Sequence, residues 1–195
     1  RDHVWLCSPL RQGPQLDRFL SAVGRVDYVI ANGDYACNVA AVGLSDDAAM
    51  ESAKECLGKL RAQFGEKLRV NFGDHELGKF RLLGTRGGLR LRSWQRGCAE
   101  LGLQPFWRLE LGNCVLFNCV STLVALPFFE ADLLPAEKLA WEELRAQHLA
   151  EIRAAFRALR PDQRVLFFCH DPTALPFLWR DEVVRGKLVQ IERTI

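Results

Sequence analysis

Short runs rich in β-branched and aromatic residues alternate along the chain with longer stretches of helical period. That alternation predicts an α/β layered domain, not a helical bundle or an all-β sandwich. Strands are predicted over residues 4–7, 26–31, 68–71, 106–111, 114–121 and 164–169, with a last one starting near Val189. Helices are predicted over 15–23, 46–64, 89–101 and 136–159. In the longest, Trp141, Leu144, Leu149, Ile152, Phe156 and Leu159 recur at three- and four-residue intervals, while Glu142, Arg145, Glu151 and Arg157 take other faces, so this helix should cover one side of a sheet. Ser45 is the expected N-cap of the helix over 46–64, and Pro161 should stop the long helix. Gly112-Asn113 suits a tight hairpin turn between two antiparallel strands.

The chain has 195 residues, enough for one domain with a sizeable core, and its 49% hydrophobic content is ordinary for a globular protein. No linker rich in glycine, serine and proline divides it, so a single domain over 1–195 is expected. The 26 basic and 24 acidic side chains leave a formal charge of +2, too small to predict a nucleic-acid or membrane partner from the overall field. No apolar run approaches the roughly 20 residues of a membrane helix, and no secretory leader is visible. The seven cysteines form no CxxC pair, and Cys7, Cys37, Cys114, Cys119 and Cys169 lie in or beside apolar runs. They read as reduced thiols, which favours a cytoplasmic location. The chain starts at Arg1 without a methionine and stops at Ile195 inside an apolar pattern, so truncation at both ends is expected.

Three segments share one layout, an apolar strand running straight into a turn loaded with Asp, His or Asn. Strand 26–31 delivers Asn32-Gly33-Asp34, strand 68–71 delivers Gly73-Asp74-His75-Glu76, and strand 164–169 delivers His170-Asp171. Ligands of α/β sheets gather outside the carboxyl ends of the strands. If these strands are parallel neighbours, Asp34, Asp74, His75 and His170 converge. Oxygen and imidazole donors together suit divalent manganese, iron, zinc or cobalt, and a glycine before each Asp lets the backbone turn sharply. A carboxylate such as Asp34 can bridge two cations about 3.5 to 4 Å apart. The bland alternative is three turns whose Asp side chains cap local backbone.

Gly33-Asp34, Gly73-Asp74-His75-Glu76 and Cys169-His170 resemble the middle three motifs of the calcineurin-like metallophosphoesterases: Gly-Asp, Gly-Asn-His-Asp/Glu and Gly-His. The resemblance implies a layered α-β-β-α sandwich of two mixed sheets flanked by helices, and hydrolysis of phosphate monoesters or diesters at two divalent cations. It implies that Asp34 bridges the cations, that Asp74 and His170 bind the second one, and that His75 is the catalytic histidine beside the substrate phosphate. Asp74 stands where the family has asparagine, and Cys169 where it usually has glycine. The family's first motif, Asp-x-His, and its last, Gly-His-x-His, are absent; the apolar tail over 190–195 resembles the strand that leads into the last one.

Lys79, Arg81, Arg86, Arg90, Arg92 and Arg96 follow the histidine cluster with no acid among them. They suit bidentate contacts to a substrate phosphate or form a solvated basic face. Trp94, Phe106 and Trp107 lie nearby as core residues or stacking platforms. His148 is expected to be structural. The expected partner is a phosphate-ester substrate, with no membrane, and with nucleic acid only as a substrate. Two other readings compete: a non-catalytic scaffold that keeps the fold, and a nucleic-acid-binding domain using the 81–96 segment, which would show salt-dependent affinity without metal. No Walker loop, GxSxG elbow or dinucleotide fingerprint occurs.

Overall fold

The computed structural model describes residues 9–36, 42–78 and 88–192. The predicted strand over 4–7 and the basic residues Lys79, Arg81 and Arg86 lie outside them. The chain clusters into two compact units, 1–103 and 104–195.

In the first unit, strands β1 (Val29–Ala31) and β2 (Leu68–Val70) pair in parallel, with Val29 opposite Leu68 and Ala31 opposite Val70. Parallel neighbours need a long crossover, and the helix Asp47–Phe64 supplies it. Its buried residues Ala49, Met50, Ala53, Leu57, Leu60 and Phe64 fall at the three- and four-residue spacing that makes one apolar face. The cap of this helix is Asp46 and not Ser45, because the Asp46 carboxylate accepts the Ala49 N–H at 2.9 Å. Ser45 ends a 3-10 turn, Gly43–Ser45, and its hydroxyl pairs with that of Ser93 at 2.7 Å. The first helix, Pro9–Ala22, starts earlier than the apolar pattern suggests, at a proline whose fixed φ suits a first helical turn.

Helix Leu91–Leu101 closes this unit by stacking Trp94 on Phe72, with ring centroids 4.9 Å apart. Gly97 makes that approach possible, since a Cβ there would sit 2.5 Å from the Phe72 ring.

In the second unit, β3 (Arg108–Leu111) and β4 (Cys114–Cys119) form the expected hairpin, with Gly112 at φ 64° in the turn. Strand β5 (Arg164–Cys169) joins β4 in parallel, giving a mixed sheet of order β3-β4-β5. Helix Lys138–Arg157 bridges β4 and β5 and lays Ile152, Ala155 and Phe156 on Val115, Phe117 and Cys119. Trp141 is fully buried on the same helix, as the periodicity requires.

Among the described residues, no strand starts near Val189. That segment belongs to helix Glu182–Glu192, whose Val183, Val184 and Leu188 recur at helical spacing against the same core. Asp181 starts it, its carboxylate accepting the N–H groups of Val183 and Val184 at 3.1 and 3.3 Å. This cap outweighs the β propensity of the valines that follow. The described residues are thus mixed α/β with two small sheets, and none of their helices is long and apolar enough to cross a membrane.

Candidate functional site

Because β1 and β2 are parallel neighbours, their carboxyl ends lie side by side and deliver two turns to one place. The Asn71 N–H donates to Ala31 O at 2.9 Å, and the Asn71 amide donates to Asn32 Oδ1. The buried Tyr35 hydroxyl lies 2.7 Å from Ala31 O and 2.8 Å from Asn71 O, and accepts the Asn71 N–H at 3.1 Å. One phenol therefore holds both strand ends. Burial first, and the Glu76 charge second, push its pKa well above the usual range.

Gly33 and Asp34 both adopt positive φ, 102° and 59°. Glycine takes this conformation freely, but a non-glycine residue there carries strain of order 1–3 kcal/mol, which is typical of functional turns. The twist brings Asp34 over Gly73, where any Cβ would meet Asp34 Oδ1 at 2.3 Å. Asp74 opens the short helix Asp74–Leu77. An oxygen of Asp34 and one of Asp74 lie within 4.8 Å of each other. His75 Nε2 is 3.8 Å from Asp34 Oδ2 and 3.7 Å from Asp74 Oδ1, and the His75 N–H donates to Asp34 Oδ1 at 3.3 Å. The first unit thus brings Asp34, Asp74 and His75 together as the sequence predicts.

Beneath them lies a residue the sequence reading left without a role. The buried Glu76 carboxylate accepts three backbone N–H groups, those of Asp34, Tyr35 and Gly73, each at 2.8 Å. Burial, and then the charge of Asp34, push its pKa up to about 7, against the opposing pull of those hydrogen bonds. The Gly-x-x-Glu spacing at a helix start was the available signal, since a Glu at the third helical position reaches back to the cap N–H.

His170 follows β5 directly in the second unit and is partly buried. Its neighbour Asp171 is committed elsewhere: one oxygen accepts the Thr173 N–H at 2.8 Å, and the other accepts Ser121 Oγ at 3.2 Å, joining the ends of β4 and β5.

Several of the other candidates have structural surroundings. Arg96 is engaged by Glu100 at 2.7 Å, Asp47 at 2.9 Å and Leu44 O at 2.8 Å. Arg92 is exposed. Trp94 and Trp107 are buried. His148 is 2% exposed, and its Nε2 accepts the Val120 N–H at 3.1 Å.

The donor set could hold a cation. Two carboxylates this close repel each other, and metal–oxygen distances of about 2.0–2.2 Å put a shared ion within their reach after a small side-chain adjustment. No protein-family model, no curated protein and no solved structure matches the chain.

Proposed function

We propose that the chain is a metal-dependent hydrolase of phosphate monoesters or diesters, with the α-β-β-α sandwich architecture of the calcineurin-like metallophosphoesterases. Asp34, Asp74 and His170 hold divalent manganese, iron, zinc or cobalt, and His75 stands beside the leaving oxygen. The observation that supports this most is that carboxylates from two neighbouring parallel strands approach within 4.8 Å and face one histidine. Cations held there would neutralise phosphate oxygens and acidify a water. His75, one residue after Asp74, is placed to give a proton to the departing oxygen. Glu76 keeps the Asp34 turn in its strained form, and Tyr35 holds the strand ends in register. The reading requires the end of β5 to supply His170 to the same cations.

A second reading, a non-catalytic scaffold, draws support from the bond between the His75 N–H and Asp34. That contact and the two approaches of His75 Nε2 give each carboxylate a protein neighbour without any cation. Hydrolysis of an aryl phosphate separates the two readings. With manganese supplied, the enzyme turns over, and His75→Ala lowers kcat by about 100-fold or more at unchanged metal content. Unaltered turnover in that variant removes His75 from the mechanism, and no turnover in the parent favours the scaffold.

A further inference from the structure

Cys119 ends β4 and Cys169 ends β5, and the two are register partners in the parallel pair. Partners in a parallel sheet point to the same face, and both side chains here pack on the core beneath helix Lys138–Arg157. Neighbouring strands lie about 4.8 Å apart, inside the window of about 4.4–6.8 Å that Cα atoms of a disulfide span. Neither cysteine is in a disulfide.

Their exposures differ in a useful way. Cys119 is fully buried, whereas Cys169 is partly open at the strand end. Among the described residues, Cys114 gives the contrast, because its register partners are Leu111 and Arg164 and it has no thiol opposite it.

We propose that Cys169 and Cys119 form a redox pair, in which Cys169 meets a peroxide and Cys119 resolves it to a cross-strand disulfide. In the first step the Cys169 sulfur attacks hydrogen peroxide, the O–O bond breaks, an S–O bond forms and one water leaves. In the second the Cys119 sulfur attacks the Cys169 sulfur, the S–O bond breaks, the S–S bond forms and a second water leaves. Two thiols are oxidised and one peroxide is reduced, and a dithiol such as dithiothreitol reverses the change. The crosslink would lie one residue before His170 and just ahead of the Ser121–Asp171 hydrogen bond. It would therefore tie the ends of β4 and β5 a second time.

The test treats the whole folded chain with hydrogen peroxide, blocks remaining thiols in denaturant, and maps the peptides by mass spectrometry without reduction. The expected product is one linked pair of peptides containing Cys119 and Cys169. Dithiothreitol should abolish it, Cys169→Ser should remove it, and Cys114→Ser should leave it intact. Circular dichroism of the Cys169→Ser variant confirms that it is folded, and Cys119→Ala provides a second variant, in which Cys169 should advance to sulfinic acid. Sulfinic acid on Cys169 in the parent, with Cys119 still alkylated, would overturn the proposal. So would a linkage of Cys169 to any other cysteine.

Discussion

The Glu76 carboxylate receives the Asp34 N–H at 2.8 Å across a sequence separation of 42 residues, and so fixes the only described non-glycine residue with positive φ. A buried side chain on one strand turn sets the backbone of the other. Glu76→Gln keeps the shape but replaces one accepting oxygen with a donor that faces backbone N–H groups. We expect a loss of about 1–3 kcal/mol in urea unfolding, the usual cost of buried donors left without an acceptor.

The same group makes stability depend on pH. With its pKa pushed up to about 7 from the ordinary 4.5, the folded, metal-free protein holds a proton on Glu76 that the unfolded chain has released. Its contribution is fully present below pH 4.5 and declines as pH rises through about 7. Urea midpoints measured in chelator across that range should fall with pH in the parent, and the fall should be shallower in Glu76→Gln.

Asp34→Asn separates stability from function. Asparagine tolerates the left-handed conformation, and removing the charge relieves both the repulsion with Asp74 and the second cause of the raised Glu76 pKa. The metal-free variant should be at least as stable as the parent and should titrate Glu76 at a lower pH, while manganese affinity falls. Stability measurements and calorimetric titration of the same preparations check this together.

His148→Ala should destabilise the second unit by roughly 1–3 kcal/mol or more, because the Val120 N–H loses its buried acceptor and a cavity opens beside Phe106. His148→Gln, which can restore an acceptor, should recover part of the loss. Thermal unfolding of the two variants compares them.

Much of this arrangement is legible in the residues. The run from Arg164 to Cys169 is uniformly apolar after its first residue and is bounded by polar turns, so both its ends can be placed. The apolar spacing from Trp141 to Phe156 leaves one reading of the long helix. The meeting of Asp34 with Asp74 and His75 follows from two strands that each end in glycine and acid. What escapes is decided by hydrogen bonds that composition does not display. The segment near Val189 looks like the start of a strand until the helix that begins at the Asp181 cap is seen to run through it. Ser45 looks like a cap until the 3-10 turn moves the start to Asp46. The role of Glu76 emerges only when three separate N–H groups are seen to point at it.

Calorimetric titration of manganese into the chelator-stripped protein, repeated on Asp74→Ala and His170→Ala, tests the central claim most directly. The account predicts saturable binding in the parent, weakened by at least about tenfold in each variant while the fold persists. Isotherms that are superimposable for parent and variants would contradict it.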